Sequence, residues 1–91
     1  MQSAAMEFTV KRLVKFDSEG SLKAYADLNI GDLFLVKGLR VVDGKNGLFV
    51  SMPRQQGKDH RWYDNVVPLT KETRTEIERV VLEADQRESA A

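Results

Sequence analysis

Arg54, Lys58 and Arg61 are followed directly by Trp62 and Tyr63, and this run carries the clearest chemistry in the sequence. Lysine and arginine neutralise phosphates, and an exposed aromatic ring can stack on an unpaired base. Basic groups next to aromatic ones therefore point to nucleic acid. Trp62 itself reads first as a core or interface anchor and only second as a base platform, because a large ring gains most from burial. Other chemistries are thinly represented. His60 is the only histidine, so no histidine metal cluster can form, and its polar surroundings read as solvent. The absence of cysteine excludes disulfides, thiolate metal sites and cysteine nucleophiles. Neither of the usual glycine-rich phosphate loops occurs. Close carboxylates such as Glu76 and Glu78 are two residues apart on a helical stretch, a spacing at which they do not face each other. These residues point away from an enzyme, and nothing in the sequence outlines a small-molecule pocket or a cofactor site.

The charge distribution narrows the reading. The 91 residues carry 14 basic and 14 acidic side chains. Residues 1–32 hold four basic and five acidic groups, residues 33–63 six and two, and residues 64–91 four and seven. The middle third is thus at +4 between segments at −1 and −3. A neutral total argues against a nonspecific polycation but leaves room for one basic face. No apolar run approaches the roughly 20 residues needed to span a bilayer. The opening residues MQSAAMEF have neither the basic region nor the apolar run of a signal peptide. The expectation is a cytoplasmic domain without a membrane segment: residues 1–6 as a disordered extension, 7–87 as a single domain, 88–91 as a disordered tail.

The elements that must hold the basic run are legible from hydrophobic period. Phe8, Val10 and Val14 fall on even positions, the mark of a half-buried strand. Arg12 interrupts that face, which reads as an edge strand with one charge turned inward. Lys15 to Ser21 is a polar turn. Leu22, Ala24, Ala26, Leu28 and Ile30 alternate with Lys23, Tyr25, Asp27 and Asn29, a strand with one wet face. The two alanines leave room for a helix over the dry face. Gly31-Asp32, with glycine first, predicts a type II′ turn. Leu33 to Val36 is apolar on both faces, so it is either buried on both sides or part of an interface. Gly38 marks a bulge. Leu39 to Pro53 is a hairpin turning at Asp43–Gly47, with the register open between Asp-Gly and Asn-Gly. Arg54–His60 reads as an exposed, mobile loop, and Arg61–Val67 as a strand stopped by Pro68. Thr70 to about Arg87 is a helix. Ile77, Val80, Val81 and Ala84 form its apolar stripe, Thr70 its N-cap, and Glu83 with Arg87 an ion pair. The predicted fold class is α+β, an antiparallel β-sheet of four to five strands with one C-terminal α-helix.

With these residues in view, the chain resembles the stage V sporulation protein G (SpoVG) family of septation regulators. The similarity begins at Met6-Glu7 and continues through Val10–Leu13 and Leu33–Val36. It is tightest over Leu39–Pro53, then resumes at Tyr63-Asp64, Val67–Leu69 and Thr73-Arg74. The resemblance implies a small bacterial, cytoplasmic regulator linked to septation, sporulation and gene expression. It further implies a homodimer with a strand-mediated interface that binds DNA and, in some members, RNA, with no enzyme activity. Family members carry basic residues just after the Met-Pro pair and at the helix start. Here these positions match Arg54 and Arg74, with Lys71 nearby. The loop departs from the family's Lys-Arg and Pro-Asp-Gly pattern, since Arg54 is followed by Gln55-Gln56-Gly57-Lys58.

Arg54, Lys58, Arg61 and Arg74 are accordingly the expected phosphate or base contacts, with Arg40, Lys45 and Lys71 as secondary candidates. The alternative is a protein-interaction module of the septation machinery that does not touch nucleic acid, suggested by the doubly apolar Leu33–Val36.

Overall fold

A computed structural model describes residues 6–16 and 19–90. The expected N-terminal extension, apart from Met6, lies outside the described residues, as do Asp17 and Ser18 of the polar turn and Ala91. The elements follow in the order β1 (Phe8–Lys15), β2 (Leu22–Ile30), β3 (Phe34–Gly44), β4 (Gly47–Ser51), β5 (Arg54–Gln56), β6 (Trp62–Asp64) and α1 (Lys71–Ala90). Strands β1 to β4 form an antiparallel meander in sequence order, and β5 pairs with β6 as a separate two-stranded ribbon. The architecture is the α+β arrangement read from the periodicities.

One face of the meander is dry. Ala24, Ala26 and Leu28 of β2, Leu39 and Val41 of β3, and Val50 of β4 are buried there with Met52. The helix lies across this face and contributes Ile77 and Val81 to the same cluster, with Ala84 buried beside them. The small side chains of Ala24 and Ala26 let it approach, as the sequence requires. Full burial of a Leu or Val contributes about 1.5–3 kcal/mol relative to exposure. Lys15 Nζ, 2.7 Å from Asp85 Oδ1, ties the edge strand β1 to the helix. Thr70 caps the helix, its Oγ1 accepting the Thr73 N–H at 3.1 Å. Thr70→Ala is expected to cost about 1 kcal/mol in chemical denaturation; an unchanged midpoint would remove the cap from the account.

Three bulges decide which side chains face which way, and one overturns an expectation. Val10 pairs with Leu28, but Arg12 pairs with Asp27, so Lys11 is an extra residue in β1. The apolar face therefore switches from Phe8 and Val10 to Leu13, which packs on the core, while Val14 turns outward. Arg12 is exposed on the outer face and is not the inward charge expected of it. β1 is nonetheless an edge strand. A second bulge falls at Lys37-Gly38, where Gly38 takes a φ of +91°, as the glycine suggested. The third falls at Lys23, an extra residue of β2 between the pairs Leu22–Val42 and Ala24–Val41.

The turns carry further differences. Gly31 and Asp32 both have φ of 59°, and the Leu33 N–H donates to the Ile30 carbonyl. Positive φ at both central residues is the type I′ pattern, not the expected type II′. Asn29 holds Asp32 in place, its Nδ2 donating to Asp32 Oδ1 and to Thr9 Oγ1, each at 2.9 Å. In the β3–β4 hairpin Gly44 pairs with Gly47, which puts Lys45 and Asn46 at the tip. Neither Asp-Gly nor Asn-Gly occupies the two central positions. On the helix, Glu83 accepts Arg79 Nη1 at 2.9 Å in place of the expected Arg87. Arg79 also binds Glu76, and the two carboxylates raise its pKa while Glu76 is held below its usual range. No helix among the described residues is long and apolar enough to cross a membrane.

Leu33, Phe34 and Leu35 are 68%, 67% and 50% exposed. Of the two expectations for Leu33–Val36, burial on both sides is thereby excluded within one chain.

Candidate nucleic-acid interface

The segment expected to be a mobile loop is half strand. Arg54–Gln56 pairs with Trp62–Asp64 in the register Arg54 to Asp64, Gln55 to Tyr63, Gln56 to Trp62. The expected strand Arg61–Val67 is correspondingly short, and Val66 and Val67 lie outside it. The turn between the two strands is built from local bonds. The Gly57 N–H donates to the Arg61 carbonyl at 2.8 Å, and the His60 N–H to the Gly57 carbonyl at 3.0 Å. His60 adopts a φ of 67°, a left-handed conformation that non-glycine residues rarely take. Asp59 accepts the Arg61 N–H at 3.0 Å and the Tyr63 hydroxyl. A Cβ at Gly57 would lie 2.8 Å from the Tyr63 ring, so the ring closes directly over that glycine. The Asn65 N–H reaches the Pro53 carbonyl at 2.8 Å and pins the root.

Among the described residues, β5 and β6 pack against no other strand and not against the helix. The ribbon is an arm. Trp62 and Tyr63 are 52% and 50% exposed on it, which corrects the reading of Trp62 as a core side chain. By the register, Arg54 and Trp62 share one face and Tyr63 takes the other.

The Asp59–Tyr63 pair makes the arm sensitive to acid. The Tyr63 hydroxyl, and then the Arg61 N–H, hold the Asp59 carboxyl below its ordinary 3.8, and the same bond raises Tyr63 above 10.0. A carboxylate with a depressed folded pKa stabilises at neutral pH, and the contribution is lost as pH falls through the folded value. Acidification below 3.8 is therefore expected to loosen the turn, with Trp62 fluorescence and Tyr63 ring shifts as readouts. An Asp59 titration at or above 3.8 would contradict the bond.

The candidate residues do not converge on one spot. Arg54, Lys58 and Arg61 share the arm. Arg54 Nε sits 3.1 Å from Asp64 Oδ1, with both side chains nearly half exposed. Pairs this open contribute about 0–1 kcal/mol and are readily exchanged for a phosphate. Lys58 and Arg61 are exposed and have no ion-pair partner among the described residues. Arg74 and Lys71 lie in the first turn of the helix, with Arg74 Nε 3.8 Å from Glu78 Oε2. The helix start and the arm follow each other in sequence but do not pack together. Arg40 pairs with Ser51, three residues before the arm begins, so it stands near the arm's root. Lys45 sits at the far tip of that hairpin, about 17 Å away along five residues of strand. It belongs to a different end of the molecule.

Arg40 brings residues that the sequence reading passed over. It lies on the sheet face opposite the helix, its guanidinium 5.8 Å from the Tyr25 ring centroid. Phe16 meets the same ring edge-on at 5.0 Å. Tyr25 stands on the wet side of the alternating run Leu22–Ile30, so its exposure was readable. Its pairing with Arg40 depends on a register displaced by the Gly38 bulge, which periodicity does not reveal.

A helix-backed antiparallel meander with a basic, aromatic arm defines a small α+β domain of one layer of sheet and one helix. The sequence model of the SpoVG family matches residues 6–87, and the chain belongs to that family. It is similar to a SpoVG septation protein of Archaeoglobus fulgidus, 43% identical over 82 residues, covering 90% of this chain and 96% of that protein. A second SpoVG septation protein of Listeria monocytogenes is 38% identical over 82 residues, covering 90% and 80%. One from Acetivibrio thermocellus is 36% identical over 78 residues, covering 86% and 83%.

Proposed function

We propose that this protein is a regulator that binds DNA as a homodimer, with RNA as the second candidate ligand, and acts in the septation process for which its relatives are named. The observation that carries the reading is the arm. Three basic side chains and two half-exposed rings are held out from the body on a ribbon that its own chain does not use for packing. Arg54, Lys58 and Arg61 are the phosphate contacts, Trp62 and Tyr63 the stacking surfaces, and Arg74 with Lys71 a separate contact at the helix start. A homodimer presents two arms and doubles the footprint. The exposed run Leu33-Phe34-Leu35 supports the pairing surface, since three large apolar side chains in sequence are left open to solvent there.

Gel shifts over a salt series test the reading. Each phosphate neutralised on duplex DNA lowers log K by about 0.9 per log unit of salt. Steep salt dependence is expected, together with dimers in sedimentation that Phe34→Asp converts to monomers. No shift at low salt with DNA or RNA would overturn the nucleic-acid reading.

The same exposed run favours a second reading, a protein-interaction module that works without nucleic acid. Co-purification of one protein partner, unaffected by nuclease and by Arg54→Ala with Lys58→Ala, would support it.

A further inference from the structure

The sheet has two faces, and the helix covers one. On the other, the register places Arg12 and Val14 of β1, Tyr25 and Asp27 of β2, and Arg40 of β3 side by side. An open cleft of about 480 Å³ lies among Arg12, Val14, Phe16, Tyr25, Asp27 and Gly38. Its floor is bare at the bulge: Gly38 has no atom within 4 Å of where a Cβ would stand. Phe49 of β4 lies on the same face, 44% exposed, its ring over Gly44.

We propose that this open face is a second binding surface, taking an unpaired base of a single-stranded nucleic acid on Tyr25, with its phosphates on Arg12 and Arg40. The inference rests on the reading of the chain as a nucleic-acid binder and adds a site separate from the arm. Sheet-borne aromatic rings stack bases regardless of sequence, because every base has a π-face. Tyr25 is 37% exposed at the cleft. Arg40 is loosely placed at 5.8 Å from its centroid. Exchanging that cation–π contact for a stacked base frees the guanidinium for a phosphate. Asp27 fixes the orientation. Its carboxylate accepts base N–H groups and, as the cross-strand partner of Arg12, weakens phosphate binding there, so the backbone is held chiefly at Arg40. Phe49, about 12 Å away at two strand spacings across and two residues along, offers a second stacking position. Arg40 pairs with Ser51 just before the arm, so a strand leaving the cleft over Arg40 reaches Arg54 next. A duplex cannot use the cleft, because its bases are already stacked and paired.

The test compares a single-stranded RNA of about 12 nucleotides, within the usual site sizes, with a duplex DNA of matching sequence, on the full chain. Tyr25→Leu keeps an apolar side chain on the strand, and thermal melting confirms that it folds. The expected result is a loss of about tenfold in single-strand affinity, with duplex affinity within about twofold of the parent. Photocrosslinking of a 4-thiouridine-labelled strand to the unaltered protein is expected to mark the peptide containing Tyr25, and this arm stands even if the variant does not fold. Unchanged single-strand affinity in a folded Tyr25→Leu protein, or crosslinks confined to the Trp62–Tyr63 peptide, would overturn the site. In that case retained duplex binding leaves the arm's function standing. Failure of the parent to bind either probe overturns both.

Discussion

Replacing Leu39 with alanine is expected to lower unfolding stability by about 2–5 kcal/mol. Leu39 is fully buried and pairs across the sheet with Ala26, one of the two small residues under the helix. Because Ala26 and Ala24 have no bulk to move into the gap, the cavity left by Leu39 can close only by a shift of the helix. The cost therefore includes the cavity as well as the lost transfer energy. A domain of this size has a total stability of roughly 5–14 kcal/mol, at about 0.05–0.15 per residue. Each kcal/mol moves the melting temperature by about 4–8 °C. The variant is thus expected to melt at least about 8 °C lower in circular dichroism. Leu69→Ala is the matched control: Leu69 is 94% exposed, and its loss is expected to stay within about 0.5 kcal/mol. A Leu39→Ala penalty no larger than the control's would mean that the helix does not seal this layer.

The arm gives the second large effect. The triple variant Arg54→Ala, Lys58→Ala, Arg61→Ala is expected to flatten the slope of log K against log salt by about 2.7 per bound arm on duplex DNA, at about 0.9 per phosphate contact. Thermal stability is expected to be unaffected, because β5 and β6 pack on no other element. Arg54 is expected to weigh most of the three. Its removal takes away a cation and also leaves Asp64, now 3.1 Å from Arg54 Nε, as an unbalanced carboxylate facing the phosphates. A triple variant that weakens binding without changing the salt slope would assign the loss to shape and not to charge. A large fall in melting temperature would mean that the arm is part of the core after all.

The two predictions draw on parts of the fold that were unequally visible in the sequence. The dry face of β2 was legible from Ala24, Ala26, Leu28 and Ile30, whose alternation admits only one register against a buried layer, whereas Leu22, read onto the same face, is turned off it by the bulge at Lys23. The helix was legible from Ile77, Val80, Val81 and Ala84, and its cap from Thr70. β1 was misread at Arg12. Leu13 and Val14 are both apolar, so either could continue the buried face, and only the bulge at Lys11 decides for Leu13. The arm was hidden for a different reason. Arg54-Gln55-Gln56 has no apolar alternation, since nothing packs on it. Its strand character comes from the Asp59 carboxylate, the Tyr63 ring over Gly57 and the Asn65–Pro53 bond, none of which leaves a periodic trace. Of the candidate site, the basic and aromatic residues of the arm could be named from the sequence. The distance between Lys45 and Arg40, and the meeting of Arg40 with Tyr25, could not, because both depend on which residues of distant strands stand opposite each other.

The arm's independence has a consequence for how this protein can change. Its turn is held by bonds among residues 56–63 and its root by the Asn65–Pro53 backbone bond and the Arg54–Asp64 ion pair, and among the described residues no strand or helix of the body packs on it. Substitutions there and in the core have no shared partners, so their free energies add. Lineages can therefore rewrite Gln55 or Lys58 to suit a new target while the meander and helix keep their sequence, whereas Gln56, whose Nε2 donates to the His60 carbonyl at 3.1 Å, and His60, at a φ of 67°, are tied to the turn itself.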